Sequence, residues 1–173
     1  MDEGRAAPAP ETHRDKPSAD GSGKPAAGGR RTKADAEDGD AAAVGSRREA
    51  RERALCLLYE ADAKSVAPAE VLADIPVEPP TFVTALVAGV GERSEEIDRL
   101  IARFTIDWAV ERMPVIDRTL VRMATFELLA RPDVPTGVVI SEAVELAKRY
   151  STEESSRFVN GILASIASET RQA

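Results

Sequence analysis

Histidine and cysteine are almost missing from this chain of 173 residues, which has one of each, His13 and Cys56. A single cysteine excludes an internal disulfide framework. A single histidine close to the N-terminus leaves the rest of the chain without zinc-ligand sets and without Ser-His or Cys-His nucleophile pairs. No apolar run approaches the ~20 residues that a membrane span requires, and the polar, proline-containing start lacks the apolar stretch of a secretory signal. A cytoplasmic protein that does not enter membranes is expected. Catalysis would have to rest on carboxylates, tyrosine, lysine or Cys56 alone, and no spacing recommends any of them. Neither an enzymatic activity nor a cofactor is expected.

The first 45 residues lack nearly every side chain from which a core is built. They hold eleven Ala, seven Gly and four Pro, no aromatic, no Leu and no Ile, with Val44 as the only branched aliphatic. Such a segment cannot bury enough apolar surface to offset its ordering entropy, so residues 1–45 are expected to be a disordered tail rich in Ala, Gly, Pro and Asp. Residues 46–173 remain, enough for one domain that buries roughly two-thirds of its unfolded surface. The whole chain is acidic, with 23 basic and 30 acidic side chains and a formal net charge of -7.

After Ser46 apolar residues return at three and four rather than at two, the period of a helix. Ala50, Ala54, Leu57, Leu58 and Ala61 line one face of a first helix, whose start carries the S-x-x-E spacing of a capping box at Ser46 and Glu49. Pro68 opens a short second helix, and Pro76, Pro79 and Pro80 interrupt the chain before a third from Thr81. Ile97, Leu100, Ile101 and Phe104 mark a fourth; Pro114 opens a fifth, which the "RPD" at Arg131 to Asp133 closes. A sixth runs from about Gly137 to Arg149. Thr136 is placed to cap its front, and Lys148 and Arg149 lie at the negative end of its dipole. A seventh starts at "STEES" with a second capping box, Ser151 to Glu154. Gly161, inside its period, is expected to let another helix approach. The pattern is an all-α bundle of about seven helices.

Against the acidic background, "SRREARERALCLLYEAD" gathers Arg47, Arg48, Arg51 and Arg53. At about 100° per residue, with Arg47 at zero, Arg51 falls near 40°, Arg48 near 100° and Tyr59 near 120°, while the apolar face centres near 310°. Arg47, Arg48 and Arg51 therefore form a basic patch with Tyr59 further along its stripe, and Arg53 lies on the other flank. Positive charge at a helix N-terminus opposes the macrodipole by 0.3–1 kcal/mol per charge, so helix stability does not explain these arginines. A guanidinium fork bridges phosphate oxygens and stacks on bases, and an aromatic on the same stripe suits single-strand binding.

The stretches "RREARERALCLLYEAD", "WAVERMPVIDRTLVRMATFELL", "DVPTGVVISEAVELAKRYS" and "SSRFVNGILASI" together resemble the bacterial transcription antitermination factor NusB family. They occur in the family's order and cover most of Ser46 to Ser168. The resemblance implies two packed helical subdomains and a role in antitermination at ribosomal RNA operons. It also implies binding of boxA, a short single-stranded leader RNA, together with the ribosomal protein NusE, and a link to elongating RNA polymerase through other Nus factors. It places Arg47, Arg48, Arg51 and Tyr59 on the RNA, Glu111 and Asp117 where the family meets NusE, and Glu154 at an acidic position near the RNA and partner surface. Many relatives carry a third consecutive basic residue where this chain has Glu49, and a carboxylate there is expected to weaken RNA attraction. Asp117 has an alternative role as the ion-pair partner of Arg118 or Arg122. Trp108 and Phe158 read as core residues rather than base-stacking ones.

Two other readings stay open at this point. One is a protein-only helical scaffold, a homodimer among its forms, with solvated arginines. The other is an RNA-binding appendage like that of ribosomal RNA cytosine methyltransferases, which would need a catalytic α/β domain downstream.

Overall fold

The computed structural model describes the backbone of residues 33–105 and 109–171, and side-chain surroundings from Arg47 onward. Among the described residues there are seven α-helices, one 3-10 turn and no strand. The helices are α1 (Lys33–Lys64), α2 (Pro68–Ala73), α3 (Thr81–Glu92), α4 (Ser94–Phe104), α5 (Val115–Ala130), α6 (Thr136–Tyr150) and α7 (Glu153–Thr170). The 3-10 turn is Val110–Arg112, between α4 and α5.

Two helical groups share one core. Helices α1, α2 and α3 pack on one another, and α5, α6 and α7 do the same. Helix α5 joins the groups, since it also packs against α1, α3 and α4. Its sequence explains that place: Leu120, Val121, Met123, Ala124, Phe126 and Leu128 are all buried, and they go round the helix rather than down one stripe. Polar side chains on α5 reach the surrounding helices. Arg118 donates to Asp62 of α1 at 2.6 Å, Arg122 holds Asp98 of α4 through two bonds of 2.7 Å, and Ser155 of α7 donates to Asp117 at 2.7 Å. Helices α1, α4 and α7 are thus fixed in register as well as in contact.

Helix starts depart from the expected caps in three places. α1 begins at Lys33 rather than Ser46, so Ser46 and Glu49 lie within a continuous helix and form no N-terminal box. The expected disordered tail falls outside the described residues over 1–32, but over 33–45 the backbone is helical. That stretch is alanine-rich, and extending an existing helix avoids the nucleation penalty that an isolated one would face. Helix α6 starts after Pro135 with no side-chain cap, and Thr136 Oγ1 instead accepts a bond from Arg171. Helix α7 is capped one residue later than expected: Thr152, not Ser151, accepts from the Ser155 N–H at 3.1 Å. His13 and Trp108 lie outside the described residues.

The glycines invert one expectation. A Cβ on Gly89 would sit 2.1 Å from Cζ of the Phe126 ring, so Gly89 is where α3 comes close to α5. Gly161, expected to play that part, is exposed, and a Cβ added there would meet nothing within 4 Å. Gly89→Ala should therefore destabilise the domain by about 1–3 kcal/mol through overpacking, whereas Gly161→Ala should stabilise it by about 1 kcal/mol through helix propensity. Thermal midpoints of the two variants, moving in opposite directions by several degrees, are the check; equal shifts would contradict the assignment.

Candidate nucleic-acid interface

The buried face of α1 is set by Ala50, Arg51, Ala54, Leu55, Leu57, Leu58 and Ala61. At about 100° per residue these span an arc centred near Arg47's azimuth, rotated by about 50° from the centre that the alanines and leucines alone suggest. That rotation brings Arg51 inside, whereas Arg47, at the centre of the arc, stays exposed all the same. Arg51 falls inside the arc and is 2% exposed. Its Nε and Nη2 donate to the two carboxylate oxygens of Glu127 on α5 at 2.8 and 2.7 Å, and its guanidinium lies 5.4 Å from the Phe82 ring centre. Arg51 is a core residue and does not belong to the exposed basic patch. A helical wheel places it beside the core, but only tertiary packing supplies the carboxylate that lets it enter.

Arg47 and Arg48 remain at the surface. The Arg47 guanidinium lies 5.8 Å from the Phe82 ring centre and 4.0 Å from Asp133. The loop bearing Asp133 and Arg131 is tied down by Arg171. Arg171 donates to the main-chain carbonyls of Glu127 and Leu128 in the last turn of α5 and of Arg131 and Val134 in the loop after it, at 2.6–2.9 Å. Arg48 faces α6, with its side chain 55% exposed. Its Nε donates to Glu142 at 3.0 Å and its Nη2 at 2.6 Å. The bond from Arg48 holds the Glu142 carboxyl below the usual range although burial opposes that shift, so Glu142 is an anion.

A cleft of about 280 Å³ opens between α1 and α6, lined by Arg48, Glu52, Glu142, Glu145, Lys148 and Arg149 among others. Its ion pairs cross in both directions. Arg48 of α1 meets Glu142 of α6, while Glu52 of α1 accepts from Arg149 of α6 at 3.2 Å and from the Tyr150 hydroxyl. That last bond, first among its causes, raises the Tyr150 pKa and keeps the phenol protonated. Tyr59 lies on the same α1 stripe as Arg48, Glu52 and Cys56 and is 45% exposed. Lys148, Arg149 and Tyr150 join this surface although their sequence positions suggest only a favourable helix end. The signal that could have found them is the aromatic following two cations.

The carboxylates assigned to a partner divide. Glu111 and Glu154 are exposed. Asp117 is 3% exposed and lies beneath a cleft lined by Met113, Pro114, Glu154 and Phe158. It accepts from Ser155 through one oxygen, while Oδ1 has no hydrogen-bond partner among the described residues. Asp117 is therefore not a freely accessible partner charge. It pairs with neither Arg118 nor Arg122, which are taken by Asp62 and Asp98. Its place in the first turn of α5, facing α7, buries it. Phe158 is half-buried rather than sealed in the core.

Residues 48–168 match the NusB family. The chain belongs to that family. It is 44% identical over 128 residues to the transcription antitermination protein NusB of Kineococcus radiotolerans, covering 72% of this chain and 94% of that one. To the NusB of Acidothermus cellulolyticus it is 46% identical over 127 residues, covering 70% and 86%. Among solved structures it resembles T. maritima NusB, with a TM-score of 0.67 and 36% identity over 73% of this chain and 93% of that one. It also resembles a chain in a crystal structure of the antitermination factors NusB and NusE in complex with dsRNA, with a TM-score of 0.62 and 27% identity over 71% and 96%.

Because Arg51 is buried and paired, Arg51→Ala should lose about 3–5 kcal/mol by leaving Glu127 as an uncompensated buried charge. Denaturant midpoints at pH 7 check this, and a loss below about 1 kcal/mol would show that the pair is not closed in solution.

Proposed function

We propose that this chain is a non-enzymatic transcription antitermination factor for ribosomal RNA operons. In this reading it acts in the cytoplasm, binds boxA-type single-stranded RNA together with NusE, and reaches elongating RNA polymerase through other Nus factors. The observation that carries the reading is the exposed pair Arg47 and Arg48, midway along α1 beside Asp133 and Glu142, on a chain whose net charge is -7. A small cationic site on an anionic surface confines RNA to one place, because the remaining surface repels phosphate. Tyr59, on the Arg48 stripe, offers an exposed ring for a base. Arg51 supports this site from beneath and makes no RNA contact of its own.

The matching relatives are antitermination proteins, and one solved neighbour is a NusB–NusE assembly with RNA. For NusE, the exposed Glu111 and Glu154 are the carboxylates available to a basic partner. Asp117 contributes by shaping the floor of the cleft next to Glu154. Among the described residues no helix is long and apolar enough to cross a membrane.

Two measurements test this. Single-strand binding releases about 0.7 counterion per neutralised phosphate, so Arg47→Ala and Arg48→Ala should each weaken boxA-like RNA binding and flatten its log-log salt slope by roughly 0.7. If both variants kept the parent's affinity and slope, this part of α1 would not be the RNA site. Replacing Glu111 and Glu154 together by Ala should weaken NusE binding about tenfold, ~1.4 kcal/mol, mainly by slowing association at low salt. Unchanged association kinetics would return these two carboxylates to a purely solvated role.

A further inference from the structure

The residue that holds Arg48 has features that a passive surface ion pair lacks. Glu142 is nearly buried, its side chain 7% exposed, whereas Arg48 is 55% exposed. The contact is two-pronged and side-on: Nε and Nη2 of Arg48 are both taken, at 3.0 and 2.6 Å. Arg48 Nη1 has no partner among the described residues. A guanidinium is a planar fork, so fixing its side edge fixes its plane and leaves only its end edge for another anion.

We propose that Glu142 is a specificity-determining residue of the RNA site, a carboxylate that pre-occupies Arg48 and restricts which phosphates can use it. The proposal rests on the reading of Arg48 as an RNA contact. A phosphate arriving in line with the end edge gains a bond while Glu142 stays paired. A phosphate arriving from any other direction must unseat Glu142, and a nearly buried carboxylate left without its cation is strongly unfavourable. Phosphate contacts ordinarily carry no sequence information. Here the backbone contact becomes selective, because only an RNA whose bases already place one phosphate correctly obtains it without exchange. The arrangement acts against wrong ligands more than for the right one, the route by which a difference in affinity is most readily widened.

Across the cleft the same exchange is repeated in weaker form. Glu52 holds Arg149 and the Tyr150 hydroxyl, and Glu145 holds Lys148 at 2.8 Å. Both of those carboxylates are more exposed than Glu142, so their cations are released more easily. Glu142 is therefore the residue on which discrimination concentrates.

The test compares boxA-like and scrambled single-stranded RNA on the full chain. Glu142→Gln keeps the side chain's volume and one acceptor but removes the charge that fixes Arg48. It should tighten binding of the scrambled strand several-fold and steepen its salt slope by roughly 0.7, while boxA-like RNA changes less, so that selectivity narrows. Glu95→Gln, which removes an exposed charge on α4 far from Arg48 in the chain, controls for net charge. Glu142→Asp keeps the charge but cannot reach both nitrogens, and should narrow selectivity in the same sense should the Gln variant fold poorly. Combining Arg48→Ala with Glu142→Gln should abolish the gain. Equal tightening on both RNAs, matched by the Glu95 variant, would overturn the proposal in favour of a simple charge effect. Unchanged selectivity in both Glu142 variants, with Arg48→Ala still weakening RNA binding, would overturn it and leave the RNA reading standing. Silence of Arg48→Ala itself would remove both.

Discussion

The pair between Arg51 and Glu127 is the interaction on which the placement of everything else depends. Removing two charges from water is expensive by several kcal/mol per ion, and the attraction between them offsets this only when geometry is good and every remaining donor is engaged. Here the fork meets both carboxylate oxygens and the guanidinium lies near the Phe82 ring. A hydrophobic pair of the same size would serve stability as well. What the ionic pair adds is register: sliding α1 by one turn along α5 would bury two unmatched charges, whereas sliding one leucine past another loses little. With that register fixed, Arg48 meets Glu142 and Arg47 meets the Asp133 loop.

The same logic runs through the rest of α5. Arg118, Arg122 and Asp117 each engage a different element, so the helix that joins the two apolar groups also carries polar addresses. Apolar burial provides the drive to pack and is indifferent to small slips. The buried and half-buried polar contacts select one packing from the many that burial alone would accept. Three buried polar atoms on α5 lack a hydrogen-bond partner among the described residues, Asp117 Oδ1, Arg118 Nε and Thr125 Oγ1, and the first lies at a cleft with the exposed Glu154 and the half-buried Phe158.

How much of this the sequence held depends on which physics was local. Helix number, the proline boundaries of α2, α3 and α5, and the apolar faces follow from periodicity and steric rules that act within a few residues. Gly89 and Gly161 cannot be told apart in sequence, because both stand in a helical period and only Phe126 on another helix decides which is filled against. Arg51 reads as solvent-facing when the azimuth of α1 rests on alanines and leucines from one side. Leu55, on the far side of Arg51, already points to a wider buried arc. Asp117 reads as a partner charge because nothing near it in sequence announces Ser155. The cap of α7 is displaced by one residue because Ser151 and Thr152 are both good caps, and the choice between them is made by how the chain leaves α6.

The departure at Glu49 takes a different meaning from the one its spacing suggests. As Ser46 lies inside α1, no capping box explains a carboxylate there, and Glu49 instead lines a cleft with Arg47, Arg53 and Phe82. On the proposed function, the α1 arginines then stand among three carboxylates, Glu49, Glu52 and Glu142, each lowering the potential that free RNA meets. A site muted in this way binds an isolated strand weakly, since much of its counterion release has been made in advance by the protein's own anions. It gains most when the strand is presented by a second binding surface, because an intramolecular contact needs far less intrinsic affinity than a free one. An acidic chain with guarded arginines is thus suited to RNA that arrives with a partner, and the exposed Glu111 and Glu154 are what such a basic partner would meet.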